Sequence, residues 1–236
     1  MKARLWLHAL TGVAALGATA TLAAAPAKKA AAPAKRDWTR NVVVTPEGGF
    51  RMGNPNAAVK LVEYGSLTCP TCARFSNSSK APLAAHVRTG KVSFEFRNYV
   101  LNSLDLTAAL LARCAGPGGF FRLTESFYAT QPQWVGKITG MTQAQKDQLQ
   151  GLAANQQIAR MAQIGGLSQM AAQAAVTPQK AQACLSDEAG IDRLVQMRQA
   201  GEAAGVSGTP TFLINGTAVH AHDWAELQPL IRKAGG

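Results

Sequence analysis

The chain is poor in cysteine, histidine and acid. Four cysteines in 236 residues are too few for a disulfide scaffold, and the length is enough to bury a real core without one. A structural zinc site wants four ligands, commonly two Cys-x-x-Cys pairs or one pair with histidines. Only Cys69 and Cys72 are paired, and His86, His220 and His222 show no ligand spacing to them, so zinc is disfavoured. Acids number 13 against 24 Lys and Arg, a formal charge of +11. The bases are scattered apart from Lys28-Lys29 and Lys35-Arg36, and aromatics do not interleave with them. That argues against nucleic acid and for a solvated surface, with some attraction to anionic membranes or walls. No internal repeat is present.

Long apolar runs are absent except at the start. Lys2 and Arg4 precede a mostly apolar Leu5–Leu22 and the small residues Ala23-Ala24-Ala25, the order of a secretory signal peptide over 1–25. An uncleaved membrane anchor is the alternative; the Ala, Gly and Thr content and the A-x-A end favour cleavage. No cysteine follows this run, which argues against a lipid-modified N-terminus. The expected mature protein is exported, with no stable membrane span, and carries +9 once Lys2 and Arg4 are gone. Export places the thiols where disulfides persist.

Residues 26–40 begin as a flexible spacer of Ala, Pro and Lys. Strands are expected at Val42–Val44, closed by a turn over Pro46–Gly49, and at Val59–Tyr64, ending at Gly65. Pro70 opens a helix toward Val87 that Pro82 should kink or restart. Val92, Phe94 and Phe96 alternate with Ser93, Glu95 and Arg97, a strand with one buried face. Residues 104–204 are rich in Ala, Gln and Leu and read as several helices, with breaks at Gly116–Gly119, near Pro132 and Gly136, at Gly165-Gly166 and at Thr177-Pro178. Asn215-Gly216 then predicts a hairpin between Thr211–Ile214 and Thr217–Val219. Asp223 and Glu226 predict a capping box on a C-terminal helix. An α/β unit of 41–103 and 205–236 thus holds an all-helical insertion, 104–204.

The chemistry concentrates in Cys69-Pro70-Thr71-Cys72. A strand ending at Gly65 and a helix starting at Pro70 put Cys69 at the helix N-cap, since proline suits the first helical position. Free amides and the helix dipole there favour thiolate over thiol. Cys72, one turn on, has the more enclosed sulfur. Cys69 is therefore the sulfur that attacks or is attacked, and Cys72 the one that resolves the mixed disulfide. A permanent structural disulfide and Cu(I) binding by two thiolates are the competing uses. Glu63 shares a strand face with Val59 and Leu61, where a carboxylate is costly unless it is functional, paired or reaches solvent. Arg97 is a candidate charge partner. Cys114 and Cys184, both in the helical block, are either buried free thiols packed as small apolar residues or a structural disulfide; the disulfide is expected, since two thiols in an oxidising compartment tend to pair.

Glu63-Tyr64-Gly65-Ser66-Leu67-Thr68-Cys69-Pro70-Thr71-Cys72, with Gly208-Thr209-Pro210-Thr211-Phe212 downstream, resembles the DsbA-like thiol–disulfide oxidoreductases of the bacterial envelope, over about residues 41–234. The resemblance implies a thioredoxin fold with a large helical insertion that caps the site and shapes a substrate groove. It implies a cis-Pro210 facing the redox pair, against the small share of X-Pro bonds that are cis. Thr209 would offer backbone groups to an extended substrate. Glu63 would be a buried acid that moves a proton to or from the enclosed cysteine. The implied role is a periplasmic, cofactor-free dithiol oxidase. Its partners would be reduced or misoxidised exported proteins and a quinone-linked membrane protein that reoxidises it. Threonine at 71 departs from the histidine typical of strong oxidants, which sets the expected potential between roughly −270 and −120 mV. Threonine before the proline also occurs among reductases and isomerases of this fold, which leaves the direction of electron flow open. Residues 26–41 are too short for the dimerisation domain that such isomerases carry.

Overall fold

The computed structural model describes residues 36–236; the expected signal peptide and most of the spacer lie outside the described residues. A short 3-10 turn, Trp38–Arg40, leads into β1 (Val42–Val44). Gly48, at φ +84°, lets the chain reverse, and Thr45 closes the turn through Gly48 N and Gly49 O, each at 2.9 Å. The chain returns as β2 (Phe50–Gly53), antiparallel to β1, a strand the sequence reading lacks. Its four residues show too little alternation to register as one.

β3 (Val59–Gly65) is a central strand. It pairs in parallel with β4 (Val92–Asn98) and antiparallel with β5 (Thr211–Ile214). With β6 (Thr217–Val219) the sheet order is β1-β2-β4-β3-β5-β6. The β5–β6 turn is carried by Asn215 and Gly216 at φ 52° and 85°, both left-handed as a two-residue hairpin requires. Contrary to the one-faced expectation, β4 is buried on both sides, Ser93 and Glu95 included. Helices cover both faces of this strand, so its polar side chains need partners inside. Glu95 finds them in the Thr45 hydroxyl at 2.8 Å and Arg97 Nε at 2.7 Å.

α1 (Pro70–Arg88) crosses from β3 to β4 and runs unbroken through Pro82. Phe75, Ser79, Leu83 and Val87 recur every fourth residue and are all buried, so one stripe spans the proline. Burying Leu83 and Val87 contributes about 1.5–3 kcal/mol each, enough to offset an interior proline's cost of about 3 kcal/mol. The C-terminal helix is α10 (Trp224–Lys233). Asp223 caps it by accepting from Glu226 N at 2.9 Å, but Glu226 reaches back to His222 N, one residue beyond the expected box.

Between β4 and β5 lie α2 (Ser103–Cys114), α3 (Gly116–Ala129), α4 (Gln131–Thr139), α5 (Gln143–Gln150), α6 (Ala154–Gly165), α7 (Leu167–Gln173), α8 (Pro178–Leu185) and α9 (Glu188–Ala203). Gly136 sits inside α4 rather than at a break; the joint falls at Thr130. α2 is the hub, packed against α3, α6 and α8. α3 lies on the sheet beside α1, with Phe120 stacked on Phe50 at 3.9 Å between ring centroids. Cys114, the last residue of α2, is bonded to Cys184 in α8, with Cα atoms 6.0 Å apart.

Candidate active site

Cys69 is the N-cap of α1, with extended backbone (φ −77°, ψ 120°), and Pro70 takes the first helical position. Its sulfur accepts from Cys72 N at 3.4 Å. Both cysteines are free thiols; Cys69 is 7% exposed and Cys72 fully buried. A hydrogen bond from the Cys72 thiol, with help from the Thr209 side chain and the Cys72 and Thr71 amides, pulls the Cys69 thiol down to about 5 against the opposing effect of burial. Burial, the hydrogen bond to Cys69 and the neighbouring charges of Glu63 and Cys69 push Cys72 well above the ordinary thiol range. The geometry thus splits the pair into one thiolate and one thiol.

Glu63 is 2% exposed, and its Oε1 has no hydrogen-bond partner among the described residues. Burial, then the Cys69 charge, lifts its carboxyl to about 8. Arg97 is not its partner. In the parallel register Glu63 stands beside Phe96, and Arg97 beside Tyr64 on the opposite face. Arg97 bonds Glu95 and the Tyr64 hydroxyl at 3.1 Å instead. Glu63 forms part of the wall of a cavity of about 220 Å³ between the sheet, α1 and α3, with Phe75, Phe96, Thr124 and Tyr128. Lys80 and Glu125, paired at 2.8 Å, also line it.

Across from the dithiol, the Thr209-Pro210 peptide is cis and the Thr209 carbonyl lies 3.3 Å from Cys69 Sγ. Pro70 is exposed beside the sulfur. The Thr71 hydroxyl accepts from Arg74 Nη2 at 2.9 Å and is turned to that partner. A groove of about 530 Å³ opens next to Cys69, walled by Leu101, Leu104, Val135 and Ile138 and by Gly208 and Thr209. Leu101 is 43% exposed there, an apolar side chain at the mouth of the groove.

Three residues of the helical block hold the loop before Cys69, and sequence reasoning missed all of them. Asp105 accepts from Leu67 N at 2.8 Å, and Tyr128 donates its hydroxyl to Ser66 O at 3.1 Å. Gln131 Nε2 donates to Leu67 O at 2.7 Å and to Cys69 O at 3.0 Å. Only Asp105 left a trace in the sequence, as the acid three residues after Asn102, the N-cap of α2. Cys114 and Cys184 lie apart from the redox pair, at the far end of α2. Among the described residues no group of three or more His, Cys, Asp or Glu is placed to hold a metal ion.

A parallel β–α–β core with a dithiol at its helix start, a cis-proline loop opposite and a buried acid beneath defines a DsbA-like protein of the thioredoxin fold. The chain belongs to the thioredoxin family, whose sequence model, described as thioredoxin, matches residues 45–233. It is 33% identical to a protein-disulfide isomerase from Novosphingobium aromaticivorans, whose crystal structure superposes with a TM-score of 0.73 over 79% of this chain and 97% of that one. A Rickettsia bellii protein assigned by name to the protein-disulfide oxidoreductases is 26% identical over 191 residues, 80% of this chain. This chain spans 65% of that relative's length. Wolbachia pipientis alpha-DsbA1 shares the fold, with a TM-score of 0.62 at 20% identity over 80% of this chain and 92% of that one.

Proposed function

We propose that the protein is a periplasmic thiol–disulfide oxidoreductase that donates its Cys69–Cys72 disulfide to exported proteins. The observation that carries this reading is the placement of Cys69 at the N-cap of α1, accepting from Cys72 N opposite the cis Thr209-Pro210 peptide, with Cys72 enclosed behind it; this placement draws Cys69 to about 5 and pushes Cys72 up. A substrate thiolate attacks Cys69, the Cys69–Cys72 bond breaks, and Cys72 leaves with the electron pair. Glu63, protonated below about 8, supplies the proton that Cys72 takes. A second substrate thiolate attacks the substrate sulfur of the mixed disulfide, and Cys69 departs as a stabilised thiolate. Two electrons have then passed from substrate to enzyme, and a quinone-linked membrane partner returns the dithiol to the disulfide.

The groove beside Cys69 suits an extended segment with apolar side chains, and the Thr209 backbone offers it hydrogen-bonding groups. The periplasmic setting rests on the apolar, small-residue segment 1–25. Among the described residues no helix is long and apolar enough to cross a membrane.

A second reading, disulfide isomerase or reductase, is favoured by the name of the Novosphingobium relative and by Thr209 before the proline. Sequestration of Cu(I) by the two thiolates is a third. One set of assays separates them. The oxidase reading expects rapid oxidation of a reduced model protein and a potential well above thioredoxin's. Faster reshuffling of a scrambled substrate than oxidation of a reduced one would overturn it in favour of isomerase. Tight stoichiometric copper binding lost in Cys69→Ser, without oxidase activity, would favour sequestration.

A further inference from the structure

We propose that Asp105 is a positioning residue for the redox pair, one buried carboxylate that fastens the loop before Cys69 to the loop forming the groove wall. The inference rests on the function proposed above insofar as it calls that groove a substrate groove. Asp105 is 1% exposed in the first turn of α2. Its Oδ1 accepts from Leu67 N at 2.8 Å and its Oδ2 from Leu101 N at 2.9 Å. Each oxygen thus serves a backbone amide from a different loop. Loss of the carboxylate would leave both amides short of an acceptor, at the full cost of an unmet buried group.

The clip is itself held in place. Asn102 Oδ1 accepts from Asp105 N at 2.9 Å, and Asn102 Nδ2 donates to the Thr68 hydroxyl at 3.1 Å, one residue before Cys69. Arg198 of α9 secures the second loop through Val100 O at 2.9 Å. The wall residue Leu101 and the reactive sulfur are therefore tied to one side chain of the inserted block.

The carboxylate also acts through its charge. Burial, above all, raises Asp105 to about 6, and the Cys69 thiolate adds to the rise. Asp105 Oδ1 sits on the amide of Leu67, two residues before Cys69, and by reciprocity an ionised Asp105 disfavours that thiolate. The other titratable groups around it stay neutral between pH 5 and 7: Glu63 on β3 is at about 8, and Tyr128 on α3 and Cys72 on α1 are pushed higher by burial. Asp105 is thus charged at pH 7, where it opposes reduction of the pair, and protonated at pH 5, where it does not.

The test is the equilibrium of the full chain with glutathione redox buffers at pH 7 and pH 5, for wild type and Asp105→Asn. The variant should lie about threefold or more toward the reduced enzyme at pH 7, with the gap closing by pH 5. In Asp105→Ala, hydrogen exchange at the Leu67 and Leu101 amides should quicken about tenfold or more. A redox shift equal at both pH values, or none, would overturn the charge role. Unchanged exchange at both amides would overturn the clip. Neither measurement needs a protein substrate, so a lack of oxidase turnover would sink the proposed function and leave this inference standing.

Discussion

Replacing Glu63 with glutamine tests the buried acid on two independent scales. In the unfolded chain this carboxyl ionises at its ordinary 4.5; in the fold, burial holds it neutral until about 8. A raised folded pKa gives a contribution fully present below 4.5 and lost progressively as pH rises toward 8. At pH 7 the loss spans about 2.5 pH units, which at about 1.36 kcal/mol per unit is about 3 kcal/mol. The glutamine amide does not titrate, so Glu63→Gln should gain about 3 kcal/mol relative to wild type between pH 4 and pH 7. A fixed offset from the amide's own fit cancels in that comparison. Urea unfolding of the reduced proteins at pH 4, 5.5 and 7 reads it directly. The same change removes the proton that Cys72 takes as it leaves, so oxidation of a model dithiol should slow by about 10- to 100-fold at pH 7. A stability difference that is flat with pH would refute the account of Glu63 as a carboxyl kept neutral by burial. Unchanged turnover in a variant with the expected stability profile would refute only its role with the proton.

Cys72→Ser, offered a disulfide-bonded substrate protein, should accumulate a mixed disulfide as the Cys69 thiolate displaces one substrate sulfur, visible as a mass adduct released by reductant; an adduct on the serine variant of Cys69 instead would reverse the roles. Iodoacetamide alkylation of Cys69 should follow a titration with midpoint near 5 and a plateau above pH 6. A midpoint near that of an ordinary thiol would remove the basis for assigning Cys69 as the reactive sulfur. Replacing both Cys114 and Cys184 by alanine opens a link across 70 residues and should lower stability by about 2–4 kcal/mol. Calorimetry would show this, while Cys69 alkylation stays unchanged because the bond lies at the opposite end of α2 from Asp105.

Local signals carried the site's centre, and long-range ones its surroundings. Cys69 and Pro70 state a helix start in adjacent residues, and Asn215-Gly216 states a turn, because each requirement is met within a few positions. Glu63 was legible from strand period alone, since Val59 and Leu61 mark its face as core. The charge partner was not: which side chain stands across from Glu63 depends on the β3–β4 register, and that register puts Phe96 there. Tyr128 and Gln131 reach back more than 60 residues to carbonyls of the active-site loop. In the sequence they are an aromatic and an amide among helical residues, with no pattern to single them out. β2 is short and its partner β4 lies 40 residues on, so neither length nor alternation marked it.

How oxidising the pair is turns on what holds the Cys69 charge. The groups that do so are the Cys72 thiol, the Thr209 side chain and two backbone amides, and the Thr71 hydroxyl is occupied by Arg74. A thiol brought from 9.0 to about 5 is stabilised at pH 7 over two pH units, about 2.7 kcal/mol before allowance for solvent. Part of that is screened at a sulfur beside an open groove, leaving about 1–2 kcal/mol, or about 20–45 mV toward oxidant. The span from thioredoxin to DsbA is about 150 mV, so this stabilisation covers only part of it. Thr71→His would place an imidazole, cationic when protonated, between the two cysteines in place of a hydroxyl held by Arg74. It should lower the Cys69 midpoint further and raise the potential by some tens of millivolts, read against glutathione at pH 7. A potential that does not move would mean that the backbone and Cys72 already saturate the thiolate, and that the residue between the cysteines does not set which way electrons flow.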